Sequence, residues 1–486
     1  MSARETILIT GVTGSIGSWM ARVVLESGRS VVALGRADAH ATAGTRAHRA
    51  LTVVGAGRYA DRVEVVQGDV CDEHVVDTVA GRKISRVIHC AGALEFREEF
   101  AGLDERVNVQ GTAHILRLAE ALRVPFCHFS TAYIAGRRQE RVLESEIDVG
   151  QDFNNPYESS KCLGELLVRD WSQRTQLPAF IFRPSIVVGD SHEGRIVNFD
   201  GLYNFMRLLD AMAGLNGARE FRVVADPNAT KNIVPVDYVA RLALHIMDTG
   251  VCGTYHLTNP HPLPLATLRD ILAEIFGIPG ARLVTEEQFQ NLRPSRFESM
   301  YQKLASTYAP YLAAEPVFDR THTDTVARGA DASLPEIDAT FFRRLVDYAR
   351  KAEWGKAERS VAPAQLSRER FVERYFNIFL AEKMHRQLLP NLRQLSANCR
   401  ILVEDLPGRS WSLGIDRGCL VSISDNGMTC ECTFLLHSDV FAAIVSGRLS
   451  PQSAFFNRKI SIEGDIETGL KLATVLATFF RKWPYA

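Results

Sequence analysis

Tyr157 and Lys161 stand four residues apart in Asn155-Pro156-Tyr157-Glu158-Ser159-Ser160-Lys161, which opens a helical pattern running on through Leu163, Leu166 and Leu167. That spacing stacks a phenol and an ammonium on one helix face. An adjacent ammonium favours the phenolate, so the tyrosine pKa is expected to fall toward working pH. A phenol tuned in this way can give a proton to a carbonyl oxygen while a hydride arrives from a cofactor. Alone, the pair also reads as an exposed Tyr/Lys couple on a helix. Two further stretches sharpen it. Phe126-Cys127-His128-Phe129-Ser130-Thr131 is an apolar strand that ends in two hydroxyls. Near the amino terminus, Thr10–Gly17 reads Thr-Gly-Val-Thr-Gly-Ser-Ile-Gly between the apolar run Thr6–Ile9 and a helical pattern at 19–25. In that setting Gly11 allows a sharp turn, Gly14 lets backbone approach a pyrophosphate, and Gly17 lets the helix pack on the strand. The free N–H groups of the helix end then face the phosphates. Thr13, Ser15 and Ile16 complete this candidate dinucleotide cradle, for which a plain βα turn is the alternative.

The elements that must position these groups alternate strand and helix. Val31–Leu34 is a second buried strand, Val63–Val66 a third, and Val87–Ala93 a fourth that ends in small residues. Helical periodicity at 103–122 precedes the Ser130-Thr131 strand. Such alternation predicts a parallel α/β sheet with ligands at the carboxyl ends of its strands. The second strand closes on Gly35-Arg36, the end that lies over the adenosine ribose, where an acid selects a 2′-hydroxyl and an arginine suits a 2′-phosphate. Arg36, with Arg46 and Arg49 further along, favours NADP(H) over NAD(H); Asp38 nearby and a merely solvated Arg36 are the competing readings.

The 486 residues exceed one compact core, so two or three domains are expected. A composition 46% hydrophobic and 23% charged, with net charge −1, is that of a soluble protein and gives no reason to expect nucleic acid or an anionic membrane as partner. Nine scattered cysteines show no metal-ligand spacing, so no metal is expected. Core packing is the reading of Cys430-x-Cys432. A strand beginning by residue 6 and the lack of a membrane-length apolar run predict a cytoplasmic protein with no integral membrane segment.

Together these motifs resemble an extended short-chain dehydrogenase/reductase, with a Rossmann-type doubly wound parallel sheet. The resemblance is carried by Thr10-Gly11-x-x-Gly14-x-x-Gly17, Asp69-Val70, His89-Cys90-Ala91-Gly92, Asn108, Ser130-Thr131, Tyr157-x-x-x-Lys161 and Arg183-Pro184-Ser185. It implies that Tyr157 is the proton donor, that Lys161 binds the nicotinamide ribose, and that Thr131, or else Ser130, binds the substrate carbonyl. Asp69, Val70, Ala91, Gly92, Ala93, Asn108, Pro184 and Ser185 would join the cofactor site. A narrower similarity, in Phe129–Gly136, Asn155–Lys161, Phe182–Gly189 and Asn232–Val239, is to the fatty acyl-CoA reductase and thioester reductase branch, the male-sterility type of NAD-binding domain. That branch implies NADPH-dependent reduction of an acyl thioester, on coenzyme A or an acyl or peptidyl carrier protein, to aldehyde or alcohol. Thr131 and Tyr157 would steady the oxyanion, and loss of the thiol needs no covalent enzyme nucleophile. A dehydrogenase or epimerase of a sterol, nucleotide sugar or other secondary alcohol shares most of the motifs. A non-catalytic cofactor sensor or lipid carrier is a third reading, opposed by the intact Thr131, Tyr157 and Lys161.

The reductase domain is expected over 1–355, its cofactor part about 1–190 and 230–260, with a smaller substrate subdomain from the remainder. The stripe Leu202, Tyr203, Phe205, Met206, Leu209, Met212 reads as core before ligand wall. Helices at 268–275 and 297–312 could shape an acyl tunnel, and 341–354 reads as an amphipathic helix. A linker at 356–365 leads to an α+β module over 366–486. There a helix at 371–395 precedes a meander of strands at 400–404, 411–415, 420–424 and 429–436, with turns at Pro407-Gly408, Arg417-Gly418 and Asp425-Asn426-Gly427. Helices at 438–446 and 465–482 follow. The stretches Ser438–Pro451 and Lys459–Asp465 resemble a sterol carrier protein 2-like domain, which implies a hydrophobic tunnel for sterols or acyl chains. Phe441, Phe455, Phe456, Leu472, Phe479 and Phe480 would equally fill a packed core, and a docking module is a third option. The superfamily resemblance implies a monomer or homodimer.

Overall fold

The computed structural model describes residues 5–37, 41–94, 101–213, 221–278, 281–291, 293–294, 298, 306–312, 315–355, 368–384, 396–406, 410–424, 428–456 and 459–485. The chain divides into two compact units, Met1–Ser360 and Val361–Ala486.

The first unit is built on seven parallel strands in the order β11-β6-β5-β4-β1-β2-β3. They are β1 (Thr6–Thr10), β2 (Ser30–Gly35), β3 (Val63–Gln67), β4 (Arg86–His89), β5 (Phe126–Phe129), β6 (Ala179–Pro184) and β11 (Gly253–Leu257). Side chains alternate between two cores, as period-two geometry requires. Ile7, Ile9, Val31 and Phe182 pack beneath helices 15–26 and 236–249. Leu8, Val32, Phe126 and Ile181 pack with helices 112–122 and 156–175 on the other face. The strand order reverses between β1 and β4, which opens a crevice at their carboxyl ends. Gly11, at φ +73°, turns the chain there, and a Cβ on it would lie 2.5 Å from the Ala91 nitrogen. One on Gly17 would overlap the Gly11 carbonyl oxygen. The first glycine thus serves a turn and the third a close packing.

Three two-stranded pairings follow the sheet. Strand β7 (Ile186–Val188) runs parallel to β10 (Ile233–Pro235), β8 (Arg222–Val224) parallel to β13 (Arg282–Val284), and β9 (Thr230–Lys231) antiparallel to β12 (Leu263–Pro264). Helices 202–213, 265–276 and 339–351 enclose a third core around Tyr203, Met206, Leu268, Phe341 and Leu345. Residues 306–312 form a 3-10 turn instead of the end of a long helix. Asp38, the linker at 356–365 and half of the predicted 297–312 helix lie outside the described residues.

In the second unit β14 (Ala397–Val403), β15 (Ser410–Asp416) and β16 (Cys419–Ser424) form the predicted antiparallel run. The meander ends there. Strand β17 (Cys432–Leu436) crosses back to pair parallel with β14, and a fifth strand, β18 (Ile460–Gly464), completes the order β16-β15-β14-β17-β18. Alternation alone cannot tell a hairpin from a crossover, since both give period two. The predicted helix at 371–395 is a helix over 368–374 running into a π turn over 375–380 and a 3-10 turn over 381–383. Residues 385–395 and the turns at 407–408 and 425–427 lie outside the described residues. Its described core mixes aliphatic side chains with aromatic rings: Phe376 stacks on Trp411 with centroids 4.5 Å apart and meets Phe441 at 5.4 Å. A cavity bounded by Tyr375, Ile401, Leu413, Leu476 and Phe479 measures about 20 Å³, too small for an acyl chain. Among the described residues, no helix is long and apolar enough to cross a membrane.

Gly17→Ala is expected to destabilise the first unit by roughly 1–3 kcal/mol, because backbone must move to admit the methyl group. Gly44→Ala, 3.8 Å from the nearest atom, Thr42 Oγ1, is the control and should leave the thermal midpoint unchanged or slightly raised. Equal midpoints for the two variants would disprove the packing role of Gly17.

Candidate active site

The carboxyl ends of β1, β4, β5 and β6 border a cleft of about 1070 Å³ that extends into the smaller subdomain. Helix 15–26 points its amino end at it, with Gly14 as the cap residue and no side chain closing the cap. First-turn N–H groups have no partner within a helix, so this end offers donors to an anion.

Helix 156–175 starts where it does because Asn155 Oδ1 accepts from Glu158 N at 3.0 Å and Pro156 pre-sets the first turn. Tyr157 therefore lies in the first helical turn and Lys161 one turn later, on the cleft wall. Lys161 is buried, and its Nζ donates to the Phe129 carbonyl at 2.5 Å. Burial draws its pKa down to about 8, against the opposing pull of Cys90 and Glu165. Tyr157 behaves contrary to expectation. Burial pushes its pKa up to about 12; Glu158 and Asp104 add to the rise, while a hydrogen bond with Thr131 opposes it. Desolvation of the phenolate outweighs any help from an ammonium whose proton is committed to a carbonyl, so Tyr157 stays a neutral phenol.

Thr131 caps the 3-10 turn 132–135 by accepting from Tyr133 N at 3.2 Å, and its hydroxyl lies 3.5 Å from the Pro184 carbonyl. Ser130 and Ser185 are buried at the same cleft, and neither hydroxyl has a hydrogen-bond partner among the described residues. Gly14, Ser15, Ile16, Gly17, Gly92, Ala93 and Pro184 share the lining.

Other predicted site residues lie off the cleft wall. Gly11, Thr13 and Ala91 are not part of the lining, and Val70 packs into the core with Val32, Leu34 and Val66. Asn108, fully buried in the π turn 105–111, braces the wall from behind: Oδ1 accepts from Ala93 N at 2.9 Å, and Nδ2 donates to Ala93 O at 3.0 Å and Ser160 Oγ at 2.9 Å. Arg36 and Asp69 pair at 3.5 Å beyond the carboxyl ends of β2 and β3, and Arg46 donates to the Arg36 carbonyl at 2.8 Å. Although burial raises the Asp69 carboxyl, the Cys71 N–H and the Arg36 charge hold it below its ordinary value.

Several cleft groups escaped sequence reasoning. Tyr133, Lys231 and Tyr311 line it. Glu315 accepts from Tyr133 OH at 2.9 Å and Asn232 N at 2.8 Å, and pairs with buried Lys231 at 3.1 Å. Glu158 and Asn155 stand inside the motif that carries Tyr157, a placement that could have flagged them; nothing around Glu315 in the sequence does. The 202–213 stripe divides between two tasks. Tyr203 and Met206 are core, while Leu202, Phe205 and Leu208 face the cleft, joined there by Phe221, Leu268, Leu272 and Leu283.

Comparison with known proteins agrees with this architecture. Residues 9–243 match the family model described as Male sterility protein, and residues 376–477 that of the SCP-2 sterol transfer family. The chain is 26% identical over 299 residues to a carboxylic acid reductase of Mycobacterium tuberculosis, covering 53% of this chain and 25% of that protein. It is 26% identical over 297 residues to aldehyde reductase lnaA of Aspergillus flavus, covering 54% and 27%. It thus spans about a quarter of the length of these two relatives. The terminal R domain of the myxalamid PKS-NRPS pathway superposes with a TM-score of 0.60 at 22% identity, over 73% of this chain and 93% of that one. A thiolation-reductase di-domain from an archaeal non-ribosomal peptide synthetase follows at 0.59 and 18%, over 72% and 76%. One chain thus joins an NAD(P)-binding α/β segment that matches the Male sterility protein model to a segment that matches the SCP-2 sterol transfer family model.

Proposed function

We propose that the first unit reduces an acyl thioester, on coenzyme A or a carrier protein, with NADPH. The observation that carries this reading is the hydrogen-bonded pair Thr131 and Tyr157 at the throat of a cleft whose far end is apolar. The nucleotide fits the residues present. The uncapped helix end at Gly14 suits its pyrophosphate, and the unpartnered hydroxyls of Ser130 and Ser185 suit the polar edge of its nicotinamide. Lys161 would be the cation for its ribose, and Arg36, just past the carboxyl end of β2, suits a 2′-phosphate, which supports NADPH over NADH. When bound, NADPH supplies the hydride that reduces the thioester carbon. Thr131 and Tyr157 hold the carbonyl oxygen, and the neutral phenol delivers its proton as negative charge develops there. The hemithioacetal then releases the thiol and leaves an aldehyde, with no enzyme nucleophile engaged. Support for this chemistry comes from relatives named as carboxylic acid and aldehyde reductases, and for a carrier-borne substrate from the thiolation-reductase di-domain.

Phe205, Leu208, Phe221, Leu268, Leu272 and Leu283 make the far end a site for an apolar acyl chain. The second unit, which matches the SCP-2 sterol transfer family, would bind the acyl or lipid chain or the carrier. Nine free thiols suit a reducing cytoplasm.

Steady-state NADPH oxidation with panels of acyl-CoA, acyl-carrier protein, ketosteroid and nucleotide sugar tests the reading. Thioesters should turn over, with kcat/KM rising roughly fourfold per added methylene, about 0.8 kcal/mol each, until the cleft is full. Turnover of ketosteroids or sugars alone would refute it. Tyr157→Phe should cut kcat by about 10²–10⁴. Arg36→Ala should raise KM for NADPH by about 10–100-fold and leave KM for NADH unchanged, as expected for loss of a charge-assisted bond; equal changes would remove the 2′-phosphate role.

Lys161 predicts a pH dependence of stability. Its folded pKa, about 8, lies below the ordinary 10.5, so folding is penalised while the unfolded chain holds the extra proton. The penalty, about 3 kcal/mol, is full below pH 8 and vanishes as pH rises to 10.5. The stability gap between Lys161→Met and wild type in urea titrations should therefore shrink across that window; a gap constant with pH would contradict it.

A further inference from the structure

Three residues flanking or facing Tyr157 close a ring of hydrogen bonds. Asn155 Oδ1 accepts from Glu158 N at 3.0 Å, and Asn155 Nδ2 donates to Tyr311 OH at 2.7 Å. Tyr311 OH in turn donates to Glu158 Oε1 at 2.7 Å. Glu158 is fully buried, and Asn154 N donates to its other oxygen at 2.8 Å. Tyr311 comes from a 3-10 turn more than 150 positions away in the chain and outside the matched 9–243 segment. Its ring meets Tyr133 edge-on with centroids 5.5 Å apart. Tyr133 bonds Glu315 through its hydroxyl and Thr131 Oγ1 through its backbone N–H. Tyr311 and Glu315 therefore bear on the immediate neighbours of both reactive hydroxyls.

The first turn of a helix is its weakest. Its N–H groups lack intrahelical partners, and the turn frays unless side chains close it. Tyr157 sits in that turn, so the position of its oxygen depends on how firmly Asn155 and Glu158 are held. A buried carboxylate that loses a donor costs far more than an ordinary hydrogen bond. The Tyr311 hydroxyl serves both residues at once, from the cleft side.

We propose that Tyr311 is a positioning residue for proton transfer, holding Tyr157 in register with Thr131 through Asn155 and Glu158. The proposal rests on the thioester reductase reading for its kinetic test. Tyr311→Phe should lower kcat about tenfold while KM for NADPH stays within twofold. Glu158→Ala should do the same, and Glu158→Gln, whose amide oxygen still accepts from Tyr311, should lose less. The double variant Tyr311→Phe with Glu158→Ala should be no worse than the poorer single one. In protein labelled with carbon-13 at tyrosine Cζ, the resonance that disappears in Tyr157→Phe should shift in Tyr311→Phe and in Glu158→Gln, in thermally intact protein. Wild-type kcat in Tyr311→Phe, multiplicative losses in the double variant, or an unmoved Tyr157 resonance would each overturn the proposal. A shifted resonance in a protein inactive on every thioester would instead sink the substrate reading and leave the ring standing.

Discussion

Everything at the site depends on how closely backbone can approach backbone where the sheet changes direction. At Gly11 the turn after β1 comes so near Ala91 that no side chain fits, and Gly17 brings the following helix onto the Gly11 carbonyl. The two contacts fix the helix end relative to β4. The Thr10 hydroxyl reinforces the seam, lying 2.8 Å from His89 Nδ1 and accepting from Ala91 N at 3.2 Å. The far ring nitrogen of His89 meets Thr112 at 3.2 Å, and burial keeps the imidazole uncharged, with a pKa near 3. The seam is thus a polar stitch through an apolar core, indifferent to acidification in the physiological range.

From that seam outward, electrostatics and burial compete, and burial prevails. Lys161 is drawn below its usual basicity and Tyr157 pushed above its own, the opposite of a phenolate made ready by an ammonium. The arrangement favours donation over abstraction. A neutral phenol beside a threonine hydroxyl answers an oxygen acquiring charge, which is the demand of carbonyl reduction.

Much of this was legible in residue order. Glycine spacing, alternating apolar runs and the Tyr157/Lys161 interval foretell a parallel sheet with a site at its carboxyl ends, because each is a local signal with a fixed geometric meaning. Asn108 was legible as a site residue but not as a brace, since spacing does not say which side of a wall a side chain occupies. Glu315 and Tyr311 were illegible: their meaning comes from contacts made across more than 150 positions. The crossover that pairs β17 with β14 was hidden for a related reason, as period-two patterning records faces and not partners. The expectation for Tyr157 failed on direction, because sequence shows which charges are near but not how much water is lost.

Helix 202–213 has a consequence for how such a protein diversifies. Tyr203 and Met206 anchor it in the core, with the Tyr203 hydroxyl accepting from Gly189 N at 2.9 Å, while Phe205 and Leu208 pack against that same core and also line the cleft. The side chains that shape the cleft thereby also help to hold the subdomain together. An exchange at Phe205 or Leu208 that reshapes the cleft is therefore felt in the packing of the subdomain as well, so change at the one is tied to change in the other.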